Sequence, residues 1–455
     1  MTDLREIIRP FRFALDPTGE QAQQIASHCG AERFAYNHML AAVRANLSQR
    51  EAERSYGVDE ENLTPSLGWS AYSLRKDWNA RKDQAAPWWR EVSKEAFASG
   101  CANLATALAN WSSSKKGARK GARVGFPGFH GRAHRRSVTF TTGTMRVEPD
   151  RHHVTLPRLG TIHTLESTRS LSRLIEQGRA RITRATVSWF RGRWVVTLLA
   201  RVLRAQPSHP HPGSVVGIDV GVKDWLVTAT PDGTEVMRLP VPERFQHLDR
   251  RKRALQRRHR HKQAPDRRVG RAGSARWSRA QRQIARLDHQ IANLRDDLLH
   301  KATASLTRSY ETVAVESLSV RGMATRGGAY KRGLNRAIHQ AALARVRSDV
   351  TYKAVREGGQ IVMVDRFYPS SKTCSGCGSV KAKLTLSERT FICETCGVVL
   401  DRDLNAAVNL ARLGASAAGS APVDGRGAKR KTPAPSGARA AGDEASTPTV
   451  GSPRS

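Results

Sequence analysis

Residues 368–410 read YPSSKTCSGCGSVKAKLTLSERTFICETCGVVLDRDLNAAVNL, and two Cys-x-x-Cys pairs stand in this stretch with fifteen residues between them. Each pair presents two thiolates on one tight turn, and two such turns supply the four soft ligands of a tetrahedral zinc ion. A site with four cysteines has no open coordination position, so this zinc would be structural rather than catalytic. The spacing therefore predicts a zinc ribbon over residues 368–400, with the ligands Cys374, Cys377, Cys393 and Cys396.

The alternative for these four cysteines is a pair of disulfides, which form in oxidising compartments. The first residues, MTDLREIIRPFRF, carry acidic side chains early and lack the apolar segment of a secretory signal peptide. We therefore expect an intracellular protein, and zinc rather than disulfides. The two other cysteines, Cys29 and Cys101, lie in apolar helical patterns and are expected to be buried thiols of the core.

The charge of the chain indicates a polyanionic partner. Lys and Arg number 76 against 40 Asp and Glu in 455 residues, which gives a formal net charge of +36 and a pI near 11.1. Such an excess is self-repelling unless a polyanion neutralises it, so nucleic acid is the expected partner. A membrane surface is the alternative, but the sequence has no apolar run near 18 residues and no amphipathic anchor.

The first half of the chain alternates between strand-like and helical patterns. Residues 6–15 alternate well enough for one strand, and residues 18–112 contain two helical blocks, the second beginning at Pro87. Strand-like segments return in residues 113–206. We expect residues 1–17 and 113–206 to form one β-barrel or sandwich, into which the helical domain of residues 18–112 is inserted.

Two basic segments are candidates for nucleic-acid contact. Residues 115–136 combine Lys, Arg and Gly with Phe126 and Phe129, which suits a phosphate backbone and stacked bases. Residues 250–262 are dense in Lys and Arg and belong to a helical hairpin expected over residues 244–307. Their charges would repel one another without a counter-anion. The alternative for each segment is a solvated basic surface.

Three acidic residues in the second half lie where secondary structure is expected to end or begin. An apolar strand ends in Asp219, and a later apolar strand is followed at once by Glu316. Asp403 opens the last helical segment. A central sheet would bring the two strand ends together, and the helix could place the third carboxylate beside them. Converging carboxylates repel unless cations bridge them, so we expect two Mg²⁺ ions and phosphodiester hydrolysis.

Four motifs in the second half resemble those of the TnpB (OrfB) family, which insertion sequences encode and which is related to type V CRISPR effectors. They are GIDVGVKDWLV at 217–227, VAVESLSVRGM at 313–323, YPSSKTCSGCG at 368–378 and DRDLNAAVNLAR at 401–412. The resemblance extends to FALDPTGEQ and YNHML near the N-terminus and to GFPGF at 125–129. The motifs stand in family order and span nearly the whole chain except its C-terminal tail.

The resemblance implies a multidomain α+β fold. A wedge-like β-barrel with an inserted helical recognition domain would precede a RuvC-type, RNase H-like nuclease domain over residues 207–367. The zinc ribbon would be inserted before the last RuvC helix, residues 401–413. Residues 414–455, rich in Ala, Gly, Ser, Pro and basic residues, are expected to form a disordered tail.

The implied activity is RNA-guided cleavage of double-stranded DNA beside a short motif, in a cytoplasmic, nucleoid-associated bacterial protein. Guide RNA and target DNA would be the partners, with structural zinc and two catalytic Mg²⁺ ions as cofactors. By motif matching, the three RuvC acids are Asp219, Glu316 and Asp403. Asp403 matches the family's catalytic position better than Asp401 does, and Asn405 would orient the metal-binding groups.

Two other functions fit the same residues. One is a nucleic-acid-binding regulator that keeps the fold but does not cut, although such a protein has no evident need for three acids at strand and helix ends. The other is a transposase that joins DNA strands itself, because three acids suit strand transfer as well as hydrolysis. The order of the motifs and the position of the cysteines favour hydrolysis, by resemblance.

Overall fold

The computed structural model describes residues 4–119, 121–132, 134, 136–205, 207–266, 268–318, 320–324, 329–385 and 388–419. In these residues the chain forms β-sheets of seven, five and two strands, flanked by α-helices. The fold is therefore mixed α and β, as the sequence predicts. Residues 420–455, most of the predicted disordered tail, lie outside the described residues.

The N-terminal sheet has seven antiparallel strands. They are β1 (Leu4–Asp16), β2 (Ser137–Phe140), β3 (Arg146–Val147), β4 (His153–Leu156), β5 (Gly160–Thr164), β6 (Ala180–Phe190) and β7 (Arg193–Ala205). Their order across the sheet is β2-β6-β7-β1-β5-β4-β3. The long ladder between β1 and β7 runs from Leu4 opposite Ala205 to Ala14 opposite Val195, and the end of β1 then pairs with β5.

The expected β-barrel of residues 1–17 and 113–206 is not closed in the described part of the chain. Strands β2 and β3 stand at the two edges of the sheet and do not pair with each other. Since β2 has four residues and β3 has two, neither offers enough backbone to complete a ladder around the sheet. The N-terminal strands therefore form an open sheet, and the barrel expectation is wrong in this respect.

The helices inserted after β1 share one hydrophobic core with the sheet. They are α1 (Gly19–Ser55), α2 (Ala71–Ala85) and α3 (Lys94–Lys115), and a fourth helix, α4 (Arg169–Glu176), follows β5. Cys29 and Cys101 are buried in this core, as expected. Pro87 begins a short 3₁₀ turn that ends at Glu91, and the long helix of this block, α3, begins only at Lys94.

The second sheet has five strands, three of them parallel. They are β8 (Val215–Asp219), β9 (Asp224–Ala229), β10 (Glu235–Pro240), β11 (Thr312–Glu316) and β12 (Gln360–Val364). Their order is β10-β9-β8-β11-β12. Strands β8, β11 and β12 are parallel, whereas β9 is antiparallel to both β8 and β10.

Helices cover both faces of this sheet and continue to the end of the described chain. They are α5 (Glu243–His259), α6 (Ala275–Ser309), α7 (Val320–Met323), α8 (Ala329–Ala341), α9 (Leu343–Glu357) and α10 (Arg402–Gly419). The predicted helical hairpin of residues 244–307 is present as α5 and α6, which pack on each other. The last helix runs six residues beyond the predicted end at Leu413, so residues 414–419 are helical.

The cysteine stretch is inserted between β12 and α10. It contains the two-stranded sheet of β13 (Thr390–Ile392) and β14 (Val399–Asp401), and β14 leads directly into α10. In the part of the chain that the structure describes, no helix has the length and hydropathy needed to cross a membrane.

Candidate metal centres and nucleic-acid surfaces

Asp219 and Glu316 are the last residues of two neighbouring strands. Strand β8 ends at Asp219 and β11 ends at Glu316, and the strands are parallel, with Ile218 opposite Val315. Because the carboxyl ends of parallel strands meet at one edge of a sheet, both side chains lie at that edge. The structure therefore brings these two predicted acids together.

Asp403 reaches the same edge from the first turn of α10, which packs across β8, β9 and β11. Two glycines let this helix approach the sheet closely. A methyl group at Gly217 of β8 would overlap the carbonyl oxygen of Ala407 and lie 3.0 Å from the Cα of Ala411. A methyl group at Gly414 would lie 2.9 Å from the Ala314 side chain of β11. The backbone of α10 therefore rests directly on the strands that end in the two acids.

The electrostatics of the three acids indicate a cation site. The pKa of Asp219 lies well above its ordinary value because the carboxyl is buried and because Asp403 and Glu316 face it. Burial also raises the pKa of Glu316, although a hydrogen bond from Ser370 acts in the opposite direction. Burial and the neighbouring Asp401 raise the pKa of Asp403. Arg402 opposes the shifts of Asp219 and Asp403 but does not cancel them, so the excess of negative charge that remains suits divalent cations.

The carboxylates are more widely spaced than the cysteines. In the described part of the chain, the donor atoms of the four cysteines all lie within 4.8 Å of one another. The three carboxylates do not form such a group. The three acids are therefore not arranged around a single ion as the four cysteines are.

Asp401 has a different environment from Asp403. Its Oδ1 accepts hydrogen bonds from the backbone N–H groups of Asp403 and Leu404, at 3.1 and 3.0 Å, so it caps the start of α10. Arg238 donates to the same oxygen at 3.1 Å and to Asp224 at 3.0 Å. Burial alone would raise the pKa of Asp401, but the Leu404 N–H and Arg238 hold it below its ordinary value. This arrangement favours Asp403 as the metal ligand.

The four cysteine sulfurs have the geometry of a zinc site. The Sγ atoms of Cys374 and Cys396 are 3.6 Å apart, as are those of Cys377 and Cys393. Four sulfurs placed at about 2.3 Å around a tetrahedral zinc ion would be roughly 3.8 Å apart, whereas a disulfide requires about 2.05 Å. All four cysteines are free thiols. The geometry therefore fits zinc and disagrees with disulfides.

Two asparagines of α10 bind the first cysteine turn. The Asn405 side chain accepts from the Ser375 N–H at 2.9 Å and donates to the Thr373 carbonyl at 2.7 Å. Asn409 donates to the Thr373 carbonyl, also at 2.7 Å. The Asn405 hydrogen bonds go to the cysteine turn and not directly to an acid, because residues two apart in a helix point about 200° from each other. Asn405 faces the cysteine turn while Asp403 faces the sheet edge.

The basic hairpin presents positive charge to solvent. Lys252 forms ion pairs with Asp249 and Asp288, at 3.6 and 2.9 Å, so part of the charge of α5 is neutralised within the hairpin. Other basic side chains of this helix are exposed, namely Arg250, Arg251, Arg257 and Arg258. This half of the hairpin is therefore available to a polyanion.

A second basic surface lies where the N-terminal sheet contacts α6. The turn between β6 and β7 is held there by Arg191, whose guanidinium donates to Asn293 at 2.8 Å and to Asp296 at 2.7 Å. The cleft beside this turn is lined by Arg136, Trp189, Arg193, Arg282, Arg286 and His289. Several guanidinium groups next to an exposed aromatic ring suit a phosphate backbone and a stacked base.

The two phenylalanines of the glycine-rich segment have different environments. Phe126 packs edge-on against Trp111, with ring centroids 4.9 Å apart, and is partly buried. Phe129 is 54% exposed, and the Arg44 guanidinium lies 4.8 Å from its ring. Phe129 therefore remains a candidate for base stacking, whereas Phe126 belongs to the core.

Replacing Cys374 by Ser is expected to lower both the zinc content and the melting temperature, because zinc ligation in such a ribbon is part of the folding free energy. Cys101→Ser is the control, since it changes a buried thiol of the core away from the cluster. This control should lower the melting temperature but keep zinc. Metal analysis and calorimetry measure both quantities. A full zinc content together with normal melting in Cys374→Ser would contradict the zinc assignment.

Three family descriptions match parts of the chain. The OrfB_IS605 model, described as "Probable transposase", matches residues 199–327, and the "Cas12f1-like, TNB domain" model matches residues 344–410. A model described as "Helix-turn-helix domain" matches residues 7–52. In the structure these last residues form most of β1 and α1, which is one continuous helix.

Two relatives match the chain over nearly its full length. "Putative RNA-guided DNA endonuclease Rv2885c" of Mycobacterium tuberculosis is 38% identical over 98% of this chain and 96% of its own length. A "Putative RNA-guided DNA endonuclease" of Streptomyces pristinaespiralis is 31% identical over 99% of this chain and 100% of its own.

One solved structure, "Cryo-EM structure of the Cas12f1-sgRNA-target DNA complex", matches 89% of this chain and 99% of its own, with a TM-score of 0.48 and 15% identity. This likeness is too weak to support a conclusion about the present chain. The identity and coverage of the bacterial relatives are sufficient, and together with the OrfB match they show that the chain belongs to the TnpB (OrfB) family.

Proposed function

We propose that this chain is an RNA-guided DNA endonuclease of a transposable element, which cuts double-stranded DNA beside a short adjacent motif. The observation that carries the proposal is the group of three partly buried acids at one sheet edge, with Asp219 facing both Glu316 and Asp403. Buried carboxylates that repel one another are costly in a protein that only binds nucleic acid. The names of the bacterial relatives support the same activity.

In this proposal Asp219, Glu316 and Asp403 hold two Mg²⁺ ions. The bound ions would activate a water molecule and stabilise the leaving 3′-oxygen of the cut strand. The two strand ends and α10 leave these carboxylates partly exposed, so ions and a substrate strand could reach them. Arg238 and Asp401 fix the first turn of α10 and hence the direction of Asp403. The five-stranded sheet, with its three parallel strands, would be the centre of a RuvC-type, RNase H-like domain.

Guide RNA and target DNA would occupy the basic surfaces. Base pairing between guide and target supplies sequence recognition, and the protein supplies a positively charged channel for the heteroduplex. The exposed arginines of α5 and the cleft beside the β6–β7 turn are the surfaces with this character. Binding through phosphate contacts should weaken steeply as the salt concentration rises.

The deciding experiment is a cleavage assay with a randomised plasmid library. The chain would be co-expressed with the DNA that flanks its gene, purified with the RNA that accompanies it and supplied with Mg²⁺. We expect cutting beside one fixed short motif, sensitive to ribonuclease treatment and lost in Asp219→Ala. Tight RNA and DNA binding without cutting would favour a regulator, and joined DNA products would favour a transposase.

A further inference from the structure

Two consecutive serines, Ser370 and Ser371, precede the first cysteine turn, and the structure distinguishes between them. Ser370 is 6% exposed, and its hydroxyl donates a hydrogen bond to Oε1 of Glu316. Ser371 is only partly buried. Among the described residues, Ser370 is the one whose side chain donates a hydrogen bond to the Glu316 carboxylate. One hydroxyl therefore fixes one oxygen of a predicted metal ligand.

The backbone that holds Ser370 is itself fixed from α10. The Ser370 carbonyl accepts a hydrogen bond from the Asn409 side chain at 2.8 Å. Asn409 and Asn405 both donate to the Thr373 carbonyl three residues later, each at 2.7 Å. Asn405 and Asn409 are both buried. The segment from Ser370 to Thr373 is thus clamped to the helix that also bears Asp403.

The same segment runs directly into the cysteine cluster. Cys374 follows Thr373, and its N–H donates to the Ser379 carbonyl at 2.8 Å, which closes the first cysteine turn. The Ser379 hydroxyl lies 3.2 Å from the Sγ of Cys393, in the second cysteine turn. An ordered cluster therefore fixes the C-terminal end of the segment, while the asparagines fix its middle.

We propose that Ser370 is a positioning residue for Glu316 and that the folded cysteine ribbon, acting through Ser370, sets the Mg²⁺ affinity of the nuclease site. This inference rests on the proposed function. A carboxylate held by a neighbouring hydroxyl loses less freedom when it binds a cation. Removal of such an outer partner typically lowers metal affinity about 10- to 100-fold.

The test compares Ser370→Ala with Ser371→Ala in the full chain with its co-purified RNA. Two quantities would be measured, the Mg²⁺ concentration for half-maximal DNA cleavage and Mn²⁺ binding by electron paramagnetic resonance. The Asp219→Ala complex gives the background of Mn²⁺ bound to RNA. For Ser370→Ala we expect at least a 10-fold rise in the Mg²⁺ midpoint, weaker Mn²⁺ binding, a near-normal rate at saturating Mg²⁺ and an unchanged zinc content. Ser371→Ala should match the wild type in every quantity.

Equal Mg²⁺ midpoints in the two alanine variants would overturn the inference. If Ser370→Ala loses zinc or fails to fold, Ser370→Thr and Ser370→Val replace it, because these side chains fill nearly the same space and differ in the hydroxyl. The valine variant must then need more Mg²⁺ than the threonine variant, and equal midpoints would again reject the role of the hydroxyl. A wild type that binds Mn²⁺ but never cuts would refute the proposed function, while Mn²⁺ binding would still decide the role of Ser370.

Discussion

Replacing Asp219 by Asn is expected to abolish DNA cleavage and to raise the melting temperature of the metal-free protein. Both effects come from one carboxylate. Cleavage is lost because an amide cannot replace a bridging carboxylate for Mg²⁺, which prefers charged oxygen ligands. Stability rises because Asp219 is buried and faces Asp403 and Glu316, so removing its charge removes repulsion.

The pH dependence follows from the direction of the pKa shift. The pKa of Asp219 in the folded protein is raised well above 3.8 by burial and by the two facing acids. Between the ordinary and the raised pKa, the folded protein holds a proton that the unfolded chain releases, so this group makes stability fall as the pH rises. The asparagine variant would have no proton to lose at this position. The stability gain of Asp219→Asn should therefore grow from acid to neutral pH.

Calorimetry in the presence of a chelator that spares the zinc site measures this gain, which for cooperative unfolding of 455 residues should be roughly 1 °C for each kcal/mol of relieved repulsion. Asp232→Asn is the matched control in the same part of the fold. Its carboxylate is exposed, and hydrogen bonds from Thr230 and Thr234 lower its pKa, so its replacement should not stabilise the protein. A fall in melting temperature for Asp219→Asn would show that the protein itself compensates this charge.

The acids and cysteines could be predicted from sequence because their signals are local. Asp219 ends an apolar run of strand length, and the cysteines repeat at a spacing that zinc ligation requires. The strands around them were predicted for the same reason. The prediction of a closed barrel is wrong, because closure requires backbone hydrogen bonds between the edge strands β2 and β3. These edge strands have four and two residues, which is too short for the sequence to indicate whether they pair.

The residues that support the acids were missed because they act across long stretches of chain. Arg238 reaches Asp401 over 163 residues, and Ser370 reaches Glu316 over 54. Nothing local distinguishes Ser370 from Ser371, and only the direction of the chain entering the cysteine turn separates them. The contact of Asn405 with the cysteine turn is the exception, because its angle on the helix relative to Asp403 already indicates that it points away from the acid.

Replacing Gly217 by Ala is expected to destabilise the protein by at least about 3 kcal/mol, the upper part of the usual cost of overpacking. The new methyl group would overlap the Ala407 carbonyl oxygen and crowd the backbone of Ala411. These are backbone atoms, so no side-chain rotation can relieve the overlap. The helix must move away from β8, which should lower the melting temperature of this 455-residue chain by roughly 3 °C.

The displacement should also reduce cleavage at temperatures where the variant remains folded. Helix α10 bears Asp403 at its start, and its Asn405 and Asn409 hold the cysteine turn, so one shift disturbs both candidate metal centres. Gly333→Ala is the matched control, because nothing lies within 4 Å of the added methyl group on α8. There the same substitution should stabilise the helix by about 0.5–1 kcal/mol. Equal melting temperatures and cleavage rates in Gly217→Ala and the wild type would show that α10 does not rest on β8, and that Asp403 must be positioned in another way.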